Sequence, residues 1–257
     1  MLPFMSCLCP TYNRPAALAN AIACYLGQDW PADRSELIIL DDSGQFPFVG
    51  DGVRIPGAAN IWLYSVAERF EALPEKFNWL ATWSVGEILV VWEDDDTYLP
   101  THLAAHANAL QEPGSDWSKP GRVLSDYPGY VVEEGSAGRF HGSLAFTAAF
   151  LRSLDGWPVS HRADFDQQLI GLLKERGRGV DPTREQPPSY IWRWHTNHYH
   201  GQGTMSGPGD ETWYQKAAFA PGTVPLRESF PVPQFDLLSA EWHARYWNAR
   251  SPARSHA

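Results

Sequence analysis

Glu93, Asp94, Asp95 and Asp96 follow one another directly after the apolar run Leu89-Val90-Val91-Trp92. Like charges ~4 Å apart repel by on the order of 4 kcal/mol at an effective dielectric near 20, so a run of carboxylates calls for a cation. Oxygen-only ligands select Mg²⁺ or Mn²⁺ over zinc or copper, and such ions complete their shell with water and substrate phosphates. A solvated acidic turn before the helix that opens near Pro100 is the competing reading, since Asp and Glu favour helix N-termini. A hydrophobic strand running straight into the acids favours the metal and phosphate site, because open α/β sheets bind ligands beyond the carboxyl ends of their strands.

The elements needed to position such a site can be read along the chain. Residues 4–9 form a strand, followed by the loop Pro10-Thr11-Tyr12-Asn13-Arg14. Asn13 is placed to cap a helix with Pro15 in its first turn and Leu18, Ile22 and Leu26 at helical spacing. Residues 37–40 form a buried strand ending in Asp41-Asp42-Ser43-Gly44, Pro74 opens a helix with Phe77, Leu80 and Ala81 on one face, and residues 87–92 are the strand leading to the acids. This alternation predicts an α/β fold with a mostly parallel, Rossmann-like central sheet and helices on both faces.

After one more helix carrying Leu103, Ala107 and Leu110, glycines punctuate residues 122–146 into shorter, partly antiparallel strands. A helix over 163–176 and a strand over 189–194 follow, then a glycine-rich loop at 201–209 and a tail ending in a short helix near 237–247. Residues 1–111 are thus read as a nucleotide-binding half. Residues 112–257 are read as an acceptor-binding and catalytic half, continuous with it in one domain.

The balance of 20 Lys and Arg against 30 Asp and Glu, a formal charge of −10, argues against a protein that tracks nucleic acid across its surface. Cys7, Cys9 and Cys24 are too few to staple 257 residues, so a reducing compartment is expected: the cytoplasm, free or peripheral to a membrane. No stretch approaches the ~20 apolar residues of a membrane span.

If the sheet is doubly wound, its strand ends share a crevice. Tyr12 can lie against a base, Asp41 or Asp42 can accept from a base N–H or a ribose hydroxyl, and Arg14 or Lys76 can neutralise phosphate. Taken singly, Asp41-Asp42 would equally form a turn, and Arg14 would equally pair with a surface acid.

Four segments in order, Pro10-Thr11-Tyr12-Asn13-Arg14-Pro15, Leu40-Asp41-Asp42-Ser43, Glu75-Lys76-Phe77-Asn78 and Gly86 through Asp96, resemble the N-terminal half of family 2 glycosyltransferases with the GT-A fold. The resemblance implies that Thr11, Tyr12, Asp41 or Asp42, Lys76 and Asn78 contact a nucleoside diphosphate, usually UDP. It makes the acids the counterpart of the family's DxD motif. Glu93 stands where that pattern often has Asp, which leaves open whether Glu93 touches the ribose or only Asp94 and Asp96 do the binding; Glu93, Asp94 and Asp95 are the candidates on the nucleotide side, and Asp94 and Asp96 those at Mn²⁺ or Mg²⁺.

The same resemblance casts Asp164 and Asp166, at the start of the helix ending before Gly177, as candidates for the base of inverting members; Asp166 is preferred by its distance to Gly177. Their other reading is helix capping. The stretch around His141, Gly142 and Ser143, together with Trp157, is similar to the lining of a sugar and acceptor pocket, and equally fits a tight strand with a buried Trp. His195, His198 and His200 fit no standard zinc spacing. A histidine from the C-terminal region completes the metal shell in some related enzymes, which points to His198.

The expected activity is therefore metal-dependent, inverting transfer from a nucleotide sugar, UDP-sugar first, to a hydroxyl of a glycan, lipid or other acceptor. A nucleotidyltransferase acting on sugar phosphates is the alternative, but residues 11–17 lack the glycine-rich triphosphate loop. A non-catalytic carbohydrate-binding protein of the same fold is the third.

Overall fold

A computed structural model describes residues 1–44, 46, 49–54, 60–127, 130–160 and 164–193. The expected loop at 201–209, the helix near 237–247 and His195, His198 and His200 lie outside the described residues. The first half runs β1 (Met5–Thr11), α1 (Pro15–Leu26), β2 (Ser35–Asp41), β3 (Val49–Arg54), β4 (Ile61–Ser65), α2 (Leu73–Trp83), β5 (Ile88–Val91), β6 (Thr97–Tyr98) and α3 (His102–Leu110). The second runs β7 (Trp117–Ser118), β8 (Arg122–Tyr127), β9 (Tyr130–Gly135), β10 (Ala145–Thr147), α4 (Ala148–Ser153), α5 (Phe165–Arg176), β11 (Gly179–Val180) and β12 (Tyr190–Arg193).

β1, β2 and β5 are buried along their whole length, as near-continuous apolar strands must be when helices cover both faces. They sit in the middle of an eight-stranded sheet of order β11-β7-β10-β5-β1-β2-β4-β3. The pairs β1–β2, β1–β5 and β2–β4 are parallel, while β10 runs antiparallel between β5 and β7. Strands of the second half thereby complete the sheet of the first. The fold is the expected α/β class, a mostly parallel sheet with antiparallel additions.

Strand alternation divides the core in two. Cys7, Cys9, Leu37 and Ile39 face Leu18 and Ile22 of α1 and Leu103 and Ala107 of α3. Leu8, Ile38 and Leu40 face Phe77 and Leu80 of α2 and Leu169 and Leu173 of α5. All three cysteines are buried free thiols.

Two features differ from the sequence reading. Asn13 does not cap α1: it adopts φ 50°, a left-handed turn that asparagine tolerates, and Arg14 stands at the cap position without a side-chain cap bond. The second feature is a four-stranded sheet, β6-β12-β8-β9, in which Tyr190 of β12 pairs opposite Tyr98 of β6. This pairing folds the last described strand back onto the acidic loop.

His102 and His106 of α3 are fully buried, with their Nδ1 atoms 3.1 Å from Ser189 Oγ and 2.9 Å from Ser118 Oγ of β7. Burial, then the nearby Lys119 charge, pushes His106 from 6.5 down to about 3. As pH falls below 6.5 the unfolded chain takes up a proton that the folded chain refuses, so stability present above 6.5 is lost progressively below it. At pH 5 this amounts to about 2 kcal/mol for one such histidine. Urea unfolding of His106→Gln should therefore show a loss between pH 7 and pH 5 smaller than the wild type's by about that much.

Candidate active site

A cavity of about 710 Å³ opens beyond the carboxyl ends of β1, β2 and β5 and is closed on its far side by the start of α5 and by β12. Thr11, Tyr12, Arg14, Asp42, Lys76 and the run from Glu93 to Asp96 all line it. Apart from Lys76 on α2, these residues follow three separate strands in the sequence, and the parallel register brings them together.

The β1 and β2 ends are tied by Lys76. Its Nζ donates to Thr11 O at 2.7 Å and lies 2.5 Å from Asp42 Oδ1, while Asp42 Oδ2 accepts from the Phe70 N–H at 3.0 Å. Burial lowers the Lys76 pKa even though Asp42 works to raise it. Tyr12 borders the cavity and is 39% exposed, with the Arg69 guanidinium, another lining group, over its ring 4.1 Å from the centroid. Asp41 takes no part in this lining. It is fully buried, accepting from the Ser43 N–H at 3.1 Å and from Ser65 Oγ at 3.1 Å, and so holds the turn after β2.

Asn78 also departs from the expected nucleotide contact. Residues two apart on a helix point about 200° apart, so Asn78 faces away when Lys76 faces the cavity. Its Oδ1 accepts the Trp157 N–H at 2.7 Å and its Nδ2 donates to Trp157 O at 2.9 Å. Gly156, at φ 86°, allows the approach, since a Cβ there would collide with Asn78 Oδ1.

The acidic run divides by direction. Asp94, expected at the metal, turns to the β1 side: it accepts from Thr11 Oγ1 at 2.7 Å and meets Arg14 Nη2 at 2.6 Å. Arg14 Nη1 reaches Asp95 Oδ2 at 2.5 Å. Glu93, Asp95 and Asp96 face one another, each with a carboxylate oxygen within 4.8 Å of the others. Asp96 is held from the second sheet, accepting from the Tyr190 hydroxyl and, at 3.2 Å, from the Arg193 N–H. Neither residue stood out in the sequence, because a tyrosine in an apolar strand reads as core.

Burial, then Asp95 and Asp166, raises Glu93 to about 8, with Arg14 opposing. Burial raises Asp94 to about 7, with Arg14 as the main opposing charge, and raises Asp96 well above the usual carboxylate range. These carboxylates are short of positive charge. Gly142 leaves room for it: a Cβ there would stand 2.7 Å from Asp96 Oδ2 and 3.0 Å from Glu93 Oε2. An all-oxygen donor set around such a space fits Mg²⁺ or Mn²⁺.

The expected acceptor lining is corrected by burial. Trp157 is 1% exposed and stacks on Phe77 at 5.1 Å, so it presents no free face to an acceptor. Ser143 is buried, donating to Phe140 O at 2.7 Å and accepting from Lys119 Nζ at 3.2 Å. His141 borders the cavity, but its ring nitrogens meet Glu93 Oε1 at 2.8 Å and the Trp157 indole N–H at 2.9 Å. Asp166 lines the cavity from the first turn of α5, whereas Asp164 accepts from Gln168 Nε2 at 3.1 Å and does not.

The family model described as Glycosyl transferase family 2 matches residues 6–137. Among solved structures, the mannosyltransferase PcManGT from Pyrobaculum calidifontis, in complex with GDP-Man and Mn²⁺, aligns with TM-score 0.55 and 21% identity, over 78% of this chain and 59% of its own. S. aureus TarS 1-349 aligns with TM-score 0.61 and 15% identity over 74% and 60% of the two chains. Its complex with UDP-GlcNAc gives TM-score 0.60 and 15% identity over 82% and 64%. The chain thus spans about three fifths of these neighbours. No curated protein matches it. No helix among the described residues is long and apolar enough to cross a membrane.

Proposed function

Because the chain belongs to glycosyl transferase family 2, we propose that it moves a sugar from a nucleoside-diphosphate sugar, UDP-sugar first, to an acceptor hydroxyl with inversion. One observation carries this reading: Tyr12, the Asp42–Lys76 pair, the Glu93–Asp95–Asp96 group and Asp166 border a single cavity. Its volume of about 710 Å³ lies within the range of ligand pockets. Neighbours holding GDP-Man with Mn²⁺ and UDP-GlcNAc support the nucleotide-sugar class.

Each residue has a task. Tyr12 supplies a flat face for the base, and Asp42 accepts from base or ribose. Arg14, paired with Asp94 and Asp95 at the cavity wall, would supply positive charge to the diphosphate. Glu93, Asp95 and Asp96 would hold Mn²⁺ or Mg²⁺, which stabilises the charge growing on the departing diphosphate. Asp166, across the cavity from the strand ends, takes the proton of the acceptor hydroxyl as that oxygen attacks the anomeric carbon. Direct attack opposite the leaving group inverts the centre. The buried free thiols support a reducing, cytoplasmic setting.

Thermal unfolding with Mn²⁺ and single nucleotides tests the reading. A ligand at a hundredfold its Kd adds ~2.7 kcal/mol, or roughly 5–10 °C at this length. UDP with Mn²⁺ should give such a shift. A shift with ATP or CTP and none with UDP or GDP would favour the nucleotidyltransferase. A UDP shift without donor consumption would favour the non-catalytic binder.

A further inference from the structure

His141 has no free nitrogen with which to bind a sugar, and the partners that occupy it run in one direction. The Trp157 indole nitrogen can only donate, so His141 Nε2 must accept and carry no proton. The proton of a neutral ring then sits on Nδ1, which donates to Glu93 Oε1 at 2.8 Å. The ring is buried and is packed edge-on against Phe77 at 4.9 Å and Phe165 at 5.2 Å. Trp157 is fixed in turn, because Asn78 clamps both its N–H and its carbonyl.

The geometry points to His141 as a positioning residue for the divalent cation: Trp157 locks its tautomer, and its Nδ1–H holds Glu93 Oε1 so that Oε2 is turned toward the Gly142 space beside Asp96. The inference rests on the metal reading above and extends it from the carboxylates to the elements behind them. A glutamate side chain has three rotatable bonds, and an unrestrained one must be ordered each time an ion arrives. Here α2 orders it in advance, through Asn78, Trp157 and His141. Outer partners of metal ligands typically contribute ~10–100-fold in metal affinity.

Mn²⁺ binding in the presence of UDP, read from loss of the free-ion EPR signal, tests this in the intact chain. His141→Leu removes the donor and should weaken Mn²⁺ by ~10–100-fold. His141→Asn keeps an N–H near the Nδ1 position and should recover most of that loss, which a merely structural histidine would not predict. Trp157→Phe keeps the ring on Phe77, frees the tautomer and should cause a smaller loss. Independently of metal, the ¹⁵N resonances of His141 should show Nδ1 protonated and Nε2 bare; the opposite tautomer overturns the proposal. If the wild type binds Mn²⁺ and Glu93→Gln does not, while His141→Leu matches the wild type, the positioning role alone is lost. If neither the wild type nor Glu93→Gln binds Mn²⁺, the metal reading falls and this inference with it.

Discussion

Asp166→Asn is expected to lower transfer by ~10²–10⁴-fold, the usual contribution of a general base, while UDP with Mn²⁺ still raises the unfolding temperature as in the wild type. The position of the carboxylate separates the two effects. Asp166 lies in the first turn of α5, across the cavity from the strand ends that would hold the nucleotide. Its oxygens accept from the Gln167 N–H at 2.8 Å and from Gln167 Nε2 at 3.2 Å, so the group is oriented before any acceptor arrives. Its charge is felt at Glu93 and His141, which places it electrically within the site. Asparagine keeps the size and an accepting oxygen but cannot take the hydroxyl proton. Asp164→Asn is the matched control, since Asp164 turns to Gln168 and should leave turnover within a few-fold. Rates of UDP release from the donor, measured beside the thermal shifts, decide the matter. Equal turnover in Asp166→Asn, or a collapse in Asp164→Asn, would reassign the base.

How much of this was legible beforehand depends on whether a residue's setting is local. β1, β2 and β5 could be read because a strand covered on both faces has to be apolar throughout, and that leaves its mark within a few residues. β4 and α4 escaped, since Ile61–Ser65 is fixed by pairing with β2 and β3 on either side, and Ala148–Ser153 is a single short helix directly after β10. Within the site, residue types were legible and side-chain directions were not. Glu93 to Asp96 announced a cation, yet Thr11 and Arg14 draw Asp94 toward β1, and Asp95, which Arg14 also reaches, faces Glu93 and Asp96. Asn78, which the family resemblance cast with Lys76 as a nucleotide contact, is turned by helical geometry to Trp157. Tyr190 left no signal, because its approach to Asp96 depends on β12 pairing with a strand more than ninety residues earlier.

Gly142→Ala should weaken Mn²⁺ binding on the order of a hundredfold, equivalent to ~3 kcal/mol, over and above a cost of ~1–3 kcal/mol to the metal-free fold. The glycine is not there for its backbone freedom, since its φ is not positive and alanine could adopt the same conformation. It is there for space. The added methyl would stand 2.7 Å from Asp96 Oδ2, 3.0 Å from Glu93 Oε2 and 3.0 Å from the Tyr190 hydroxyl, between the oxygens that would grip the ion. Those atoms are ends of side chains, so the metal-free protein can move them apart at a cost of ~1–3 kcal/mol. With an ion bound the same movement would be opposed, because Glu93 and Asp96 would have to keep their oxygens turned toward the space that the methyl fills. Gly171→Ala is the control: it sits on the exposed face of α5 with nothing within 4 Å of the new methyl. That change should leave Mn²⁺ affinity alone and stabilise the helix by ~0.5–1 kcal/mol. Manganese titrations of both variants give the answer, and wild-type affinity in Gly142→Ala would put the ion elsewhere than between Glu93 and Asp96.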